Sequence, residues 1–418
     1  MTENRLSQAR ARFSRATVAV FAALVALLTA RMEVGARHVA SFDTIDLGTL
    51  PGGSSSEAFA VNAEGVVVGQ STANDGVFHA FMWSESTGMV DLETLENGTT
   101  STALAIGNRG DVAGSDILSS GPAHAFVRTT ANVVDLCPPE LRCVSSLPNA
   151  MNAKGDVVGF INRSDGTSHA FLWTARDGVV HDLGTLDGGD ISIANAVNDH
   201  DVVVGESATA SGIHHAFMWT PRDGMMVDLD PLGSTSSAQG VNDNGVIVGN
   251  RQSTSGETHA FVWTRQTGIV DIGPAGQTSF GERINGRFVV GRIFASGASG
   301  PQHGFLWTRK DGIVDIRPLD SDTTSFPTGV SDRGLVVGNS FIEGTPPNLP
   351  SPPHAFAWSA STGITVALPT LSGISSQANA TNNDGVIVGS ICRNDGTCRA
   401  TLWKPASHSR KDRNSDDD

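Results

Sequence analysis

Short apolar runs of four or five residues recur along this chain and are separated by glycine, asparagine and serine. Within residues 55–95 four such runs follow one another, at 58–62 (AFAVN), 66–69 (VVVG), 79–83 (HAFMW) and 88–92 (GMVDL). Runs of this length that are rich in valine and aromatic residues, and bounded by turn-forming residues, are typical of β-strands. The segment therefore predicts a unit of four short strands.

This unit repeats at intervals of about 45 residues. Its third run opens on histidine in seven copies, and an eighth, degenerate copy reads CRATLW at 398–403. The seven histidines are His79, His124, His169, His215, His259, His303 and His354. A four-stranded unit repeated eight times predicts an all-β fold, a β-propeller of eight four-stranded blades. An open β-solenoid and two stacked sandwiches are the alternatives.

The two ends of the repeat region favour a closed ring. The last unit stops after its third run, at Trp403, whereas an isolated fourth run, FDTIDL at 42–47, precedes the first unit. If the N-terminal run completes the last blade, no sheet edge is left unpaired where the chain ends meet. We therefore expect a propeller domain over residues 37–403 that is closed by its N-terminal strand.

The HAFxW, VDLGTL-like and N-x-x-G-x-VVG elements together resemble the HAF-repeat family of bacterial extracellular proteins. The resemblance covers residues 42–403, nearly the whole repeat region. It implies an exported protein with a propeller-like repeat fold, and it implies no established activity.

The recurring histidine is the obvious candidate for chemistry, but the predicted fold argues against a shared metal site. Strands lie about 4.8 Å apart, so a third strand counted from the axis is about 10 Å beyond the first. Zinc needs its histidine nitrogens about 2.0 Å from one point. Seven identical catalytic bases around a ring are equally implausible, while repeated weak ligand sites between blades remain an alternative.

A structural role explains the histidines better, because an aspartate closes the fourth strand of most units. Across a hairpin the two side chains can pair. Blade seven is an exception, since His354 faces Ala367. The expected structural pairs are His79 with Asp91, His169 with Asp182 and, in the last blade, Arg399 with Asp46.

The remaining repeated positions have packing or turn roles in this interpretation. Trp83, Trp173 and their equivalents are expected between neighbouring blades, with a sugar-stacking platform as the alternative. The N-x-x-G segments predict tight hairpins with glycine at positive φ. A glycine such as Gly69 ends the second strand in every unit, which we interpret as close approach by a neighbouring sheet.

The N-terminal segment has the pattern of a secretory signal. Several arginines precede an uncharged, largely apolar run, Ala16–Ala30, and small residues end at Ala36. We expect residues 1–36 to be a cleaved signal peptide, because the run is shorter than the ~20 residues of a membrane span. The protein would then be secreted or periplasmic, with no stable membrane span. Residues 404–418 predict a disordered polar tail.

Cysteine spacing and charge fit an exported protein. Cys137 with Cys143 and Cys392 with Cys398 form two close pairs, which favours two local disulfides over a zinc site. The formal net charge of −15 argues against nucleic acid as a partner.

No catalytic, cofactor-binding or metal-binding residue is predicted, and no cofactor is expected. We interpret the chain as a binding scaffold for a protein or glycan ligand. The alternative is an extracellular enzyme acting on polysaccharide, with catalytic carboxylates on the loop-rich face or in the central channel. Any specific site is expected on irregular loops, of which 137–143 and 339–353 are the most unusual.

Overall fold

The computed structural model describes residues 41–93, 95–96, 98–294, 301–344 and 351–406. This part of the chain forms eight four-stranded antiparallel sheets in a ring, so the predicted eight-bladed β-propeller is confirmed. The predicted signal peptide and residues 407–418 of the predicted tail lie outside the described residues. The last strand continues to Pro405, two residues beyond the expected end of the propeller.

The first four blades are each built from four consecutive strands. Blade 1 has β2 (Ser56–Val61), β3 (Val67–Thr72), β4 (Phe78–Ser84) and β5 (Gly88–Asp91). Blade 2 has β6 (Gly98–Ile106), β7 (Val112–Leu118), β8 (Ala123–Arg128) and β9 (Val133–Asp135). Blade 3 has β10 (Cys143–Met151), β11 (Val157–Arg163), β12 (Ser168–Trp173) and β13 (Val180–Asp182). Blade 4 has β14 (Ser192–Val197), β15 (Val203–Ala208), β16 (His214–Trp219) and β17 (Val227–Asp228).

The next three blades follow the same plan, and blade 8 borrows its fourth strand from the start of the chain. Blade 5 has β18 (Ser236–Val241), β19 (Ile247–Gln252), β20 (Thr258–Thr264) and β21 (Gly268–Asp271). Blade 6 has β22 (Ser279–Asn285), β23 (Phe288–Phe294), β24 (Gln302–Thr308) and β25 (Gly312–Ile316). Blade 7 has β26 (Thr324–Val330), β27 (Leu335–Phe341), β28 (His354–Ser359) and β29 (Ile364–Ala367). Blade 8 has β30 (Ser375–Thr381), β31 (Ile387–Cys392), β32 (Cys398–Pro405) and β1 (Phe42–Asp46).

The ring is closed in the way that the two ends of the repeat region predicted. β1 pairs antiparallel with β32, and the paired residues include Thr44 with Trp403 and Asp46 with Thr401. The innermost strands β2 and β30 also contact each other, so blade 8 packs against blade 1. A strand more than 300 residues away in sequence therefore covers the edge of β32.

The hydrophobic core lies between the blades. In one layer Val68 and Ala80 of blade 1 pack against Val112 and Phe126 of blade 2. The phenylalanine of the HAF motif is fully or almost fully buried in all seven copies, among them Phe81. Burying a phenylalanine contributes about 1.5–3 kcal/mol, so these seven side chains are a major part of the stability.

The repeated glycine lies inside each second strand and not at its end, as Gly69 does in β3. The reason for a glycine at this position also differs from the expected one. A Cβ added at any of the eight positions would lie 1.8–2.2 Å from a carbonyl oxygen of the first strand of the same blade. For Gly69 this oxygen belongs to Glu57. The first strand bulges beside each glycine, between Ala58 and Ala60 in blade 1. The crowding therefore comes from a β-bulge within the sheet, not from a neighbouring sheet.

The N-x-x-G turns form as predicted, with Gly65, Gly155, Gly245 and Gly385 all at positive φ. The copy at 198–201 lacks this glycine, and Asp201 takes the left-handed conformation instead, at φ 59°. Aspartate tolerates this conformation better than most residues because its short side chain can hydrogen-bond locally.

The described strands and the single short 3-10 turn, Pro139–Leu141, account for the regular structure. Within these residues no helix is both long and apolar enough to span a membrane.

Candidate functional site

The two faces of the propeller carry different connections. We call loop face the side with the connections from second to third strands, such as 73–77, and from fourth strands to the next blade, such as 183–191. We call turn face the opposite side, with the tight turns at 62–66 and 85–87 and their equivalents. The repeated histidines begin third strands and the aspartates end fourth strands, so both sets lie at the loop face.

Six histidines contact the aspartate of their own blade across the outer hairpin. In blades 1 and 3, His79 Nδ1 lies 2.7 Å from Asp91 Oδ2, and His169 Nδ1 lies 2.9 Å from both oxygens of Asp182. The other four pairs span 2.5–3.1 Å and are His124 with Asp135, His215 with Asp228, His259 with Asp271 and His303 with Asp315.

The second oxygen of five of these aspartates holds the loop that follows. Asp91 Oδ1 accepts the backbone N–H of Glu93 at 2.9 Å, and Asp182 Oδ1 accepts that of Gly184 at 2.8 Å. In blades 1 to 5 the aspartate thus ties the third strand, through its histidine, to the first turn of the next connection. A joint that recurs in five blades serves the architecture of the ring.

The expected pair of Arg399 with Asp46 is wrong. Asp46 Oδ1 accepts the N–H of Gly48 at 2.9 Å, as its equivalents do. Arg399, however, donates from Nη1 to the carbonyl oxygen of Ser54 at 2.5 Å. The arginine side chain is longer than that of histidine, and it reaches past the carboxylate to the loop that leads into blade 1.

Blade 7 departs from the pattern at the expected place, and its histidine contacts a different carboxylate. Phe356 pairs with Ala367 in the register that elsewhere holds aspartate. His354 Nδ1 instead lies 3.3 Å from Oδ2 of Asp322, which comes from the preceding connection and whose side chain is 3% exposed. A pattern search restricted to one repeat could not find this partner, because Asp322 precedes blade 7.

The tryptophans are packed between blades. Trp83 is 9% exposed and Trp173 is 2% exposed, while Trp403 is fully buried and donates from Nε1 to the carbonyl oxygen of Pro369 at 2.9 Å. These three side chains offer no face for stacking on a sugar, whereas Trp219, Trp263 and Trp307 are half-buried.

His79 differs from its equivalents in having two carboxylate partners. Its Nε2 also lies 3.0 Å from Oδ2 of Asp75, a residue of the connection between β3 and β4. Partial burial by itself lowers the pKa of His79, but the hydrogen bonds to Asp91 and Asp75 outweigh that effect and raise the pKa above its usual value. The protonated form therefore bridges two carboxylates.

We expect replacing Asp75 with asparagine to lower the pKa of His79 and to destabilise the protein in a pH-dependent way. A raised histidine pKa contributes stability that is complete below the unfolded value of about 6.5 and is lost as pH rises through the folded pKa. The melting-temperature difference between wild type and variant should thus be larger near pH 5.5 than near pH 8.5. Proton NMR of the imidazole would follow the titration.

Asp395→Asn is the matched control for this prediction. Asp395 occupies the same Asn-Asp-Gly turn in blade 8 and accepts the N–H of Thr397, as Asp75 accepts that of Val77. Its blade has arginine in place of the histidine. A pH dependence equal in both variants would show that the second carboxylate does not act through His79.

A ring of buried serines joins the blades, and sequence reasoning missed it. Ser101 Oγ accepts the backbone N–H of Ala80 at 2.8 Å, across the boundary between blades 1 and 2. The same bond, at 2.8–3.0 Å, recurs at every boundary, and its acceptors are Ser56, Ser101, Ser146, Ser192, Ser236, Ser279, Ser325 and Ser376. A buried N–H needs a partner, so each serine completes the third strand of its neighbour. The signal in the sequence was a serine within the first strand of every blade.

The asparagine of the N-x-x-G turns makes a second set of joints, on the turn face. Asn62 Oδ1 accepts two N–H groups of its own turn, while its Nδ2 donates to the carbonyl oxygen of Gly107 in blade 2. Asn382 donates likewise to Asn62 at 2.9 Å and links blade 8 to blade 1. The sequence pattern identified the turn but not the link between blades.

Three clefts open at equivalent places on the loop face. Each lies between a blade and the connection that leads into it. Their volumes are about 330 Å³ at blade 4, 790 Å³ at blade 5 and 810 Å³ at blade 7. The cleft at blade 5 is lined by Leu232, Arg251 and the pair His259 and Asp271.

The cleft at blade 7 coincides with the break in the aspartate column. It is lined by His354, Asp320, Asp322, Thr365 and Ala367. The two carboxylates come from one connection, whereas Thr365 and Ala367 come from β29 on the other side. In the part of the chain that the structure describes, no group of three or more histidine, cysteine or acidic side chains could hold a metal ion.

Both predicted disulfides are formed. Cys137–Cys143 encloses the short helical turn before blade 3, and Cys392–Cys398 joins β31 to β32. The first therefore stiffens a loop-face connection, and the second stabilises the blade that closes the ring. Of the other irregular connection, 339–353, residues 345–350 lie outside the described residues.

No family model and no curated protein sequence matches this chain. Among solved structures it is similar to one of two prolyl endopeptidases, with 11% identity and a TM-score of 0.54, over 84% of this chain and 54% of that one. It is also similar to the β-propeller domain of the Trilobed protease from Pyrococcus furiosus, with 12% identity and a TM-score of 0.48, over 75% of this chain and 98% of that domain. The chain thus spans about half of the prolyl endopeptidase, and at such identities the likeness concerns the fold alone.

Proposed function

We propose that this protein is an exported binding scaffold that presents its ligand site on the loop face. The observation that carries the proposal is the set of three equivalent clefts among the described residues. Of these three, the clefts at blades 5 and 7 have the larger volumes, and there side chains depart from the repeat. Ligand pockets are typically concave and combine apolar walls with a few polar groups. The clefts fit this description, since hydroxyl, imidazole and carboxylate groups lie beside leucine and isoleucine.

The disulfides support export, because such bonds persist in oxidising compartments. The resemblance of the repeats to the HAF-repeat family agrees with a secreted or periplasmic location. Binding, and not hydrolysis, is the function we favour, because the His259–Asp271 pair at the blade 5 cleft recurs in five other blades and so has a structural role. Protein and glycan ligands are both compatible with such a face.

The proposal is tested by screening the purified full chain against glycan and peptide libraries, with melting temperature as the readout. The Kd of each ligand found is then measured for the wild type and for two variants, Ala367→Asp and Leu232→Ser. Ala367→Asp restores the carboxylate of the other blades and narrows the cleft at blade 7. We expect the Kd to rise by roughly tenfold, or about 1.4 kcal/mol, in at least one of these variants.

Ser86→Asp is the control, because it adds the same charge to an exposed position of the turn face. It should leave the Kd unchanged. If Ser86→Asp raises the Kd and neither loop-face variant does, the ligand binds elsewhere and the proposal is refuted.

A further inference from the structure

A leucine in the connection that leads into a blade is normally docked. Leu50 is 2% exposed, and its N–H donates to Ser71 Oγ at 2.9 Å. Leu186 is 7% exposed and makes the same bond to Ser207. The serine of the second strand thus accepts the loop N–H and leaves room for the leucine beside it.

Blade 5 lacks this arrangement. Arg251 takes the place of the serine, and its Nε donates at 2.8 Å to Asp230, whose side chain is 7% exposed. Asp230 therefore takes the place of Leu50, and its carbonyl oxygen accepts the N–H of Gly233 as that of Leu50 accepts the N–H of Gly53. Leu232, two residues further along the connection, is 98% exposed at the rim of the cleft of about 790 Å³. A leucine exposed to this extent beside a cleft is unfavourable in water and is a candidate contact for a partner.

Ile269, which is half-buried, lines the same cleft and adds apolar surface beside Leu232. Phe261 also lies in its lining but is only 1% exposed and belongs to the core. The polar groups at its edge are already paired, since Arg251 bonds Asp230 and His259 bonds Asp271. An aliphatic side chain can therefore bind in the cleft without leaving a charged group unpaired.

The charge of the loop face as a whole indicates what kind of chain would bring that side chain. All the lysines that the structure describes lie at the turn face, namely Lys154, Lys310 and Lys404. Several arginines of the loop face are paired with carboxylates, for instance Arg163 with Asp182, whereas Arg399 bonds a carbonyl oxygen. Carboxylates such as Asp187 and Asp190 remain in excess on the loop face, so its potential attracts cations.

From these observations we infer that the blade 5 cleft docks an aliphatic side chain of a cationic polypeptide partner, beside Leu232. The inference rests on the proposed function and names the chemistry of its ligand. Apolar contact at Leu232 provides the local affinity, and the carboxylates of the loop face attract the basic residues on either side.

The test uses the full chain and a fluorescent synthetic peptide in which leucine alternates with lysine. We expect binding that weakens as salt is added, because the surface charges are screened. Leu232→Ser should raise the Kd roughly five- to tenfold, the effect of losing a central contact. Val90→Ser, at a residue 41% exposed on the outer strand of blade 1, should leave the Kd unchanged.

Four results would overturn the inference. Three concern the peptide: no binding, equal binding of a peptide with glutamate in place of lysine, or equal effects of the two serine variants. The fourth is self-association of the chain, measured by sedimentation, that Leu232→Ser abolishes, because it would assign the cleft to a second copy of the chain. If the peptide fails while glycan ligands still respond to loop-face variants, the partner chemistry is wrong and the proposed function stands.

Discussion

Replacing Phe42 with alanine is expected to lower the free energy of unfolding by about 3–5 kcal/mol. Phe42 is 8% exposed in β1 and packs in a cluster with Trp403, Val337 and Ile387. The ring is closed by β1, so loss of this side chain weakens the attachment of the one strand that joins the two ends of the chain. Urea unfolding would measure the loss.

Asp43→Ala is the control, because Asp43 is the neighbouring residue of the same strand and is exposed. It should change the unfolding free energy by less than about 0.5 kcal/mol. Hydrogen exchange gives a second readout, since amides of β32 that face β1 should exchange faster in the Phe42 variant alone. Equal effects of the two substitutions would show that packing of β1 does not hold the ring closed.

Gly69→Ala is the second substitution with a large expected effect, on the order of 4 kcal/mol or more. Its Cβ would lie 1.9 Å from the carbonyl oxygen of Glu57. The oxygen is a backbone atom of β2, and the added Cβ is bonded directly to the backbone of β3. Removing the clash therefore requires a shift of the paired strands and not merely a rotation of a side chain. The substitution should therefore disturb the whole of blade 1.

Gly76→Ala separates this crowding from the general cost of replacing glycine. Gly76 has φ 81°, and an added Cβ there would meet no atom within 4 Å. Its replacement should cost about 1–2 kcal/mol, the penalty of a left-handed conformation. If the two variants unfold at the same urea concentration with equal slopes, the bulge in β2 does not require glycine opposite it.

Much of the fold followed from local pattern. The strands of blade 1 begin and end within two or three residues of the runs at 58–62, 66–69, 79–83 and 88–92, because alternation and turn residues are properties of a short segment. The incomplete last repeat and the extra strand at 42–47 were enough to predict the closure. Repetition supplied several copies of each signal, for instance seven of the histidine that opens the third strand.

The candidate site was less accessible from sequence. The His and Asp columns directed attention to the loop face, but they did not reveal its clefts. Arg399 was expected to bond Asp46 and bonds Ser54 instead. Side-chain length and the path of a connecting loop decide such contacts, and neither is contained in the repeat pattern.

The sequence by itself determined the repeating unit, the order of its strands and the positions of its turns, since these depend on residues close together in the chain. Only the tertiary structure decided how one blade holds the next. Ser56 accepts the N–H of Ala400, and Asn382 donates to Asn62, contacts that exist only once the ring has closed. The same holds for the connection into blade 5, where Asp230 bonds Arg251 at the place that Leu50 and Ser71 take in blade 1.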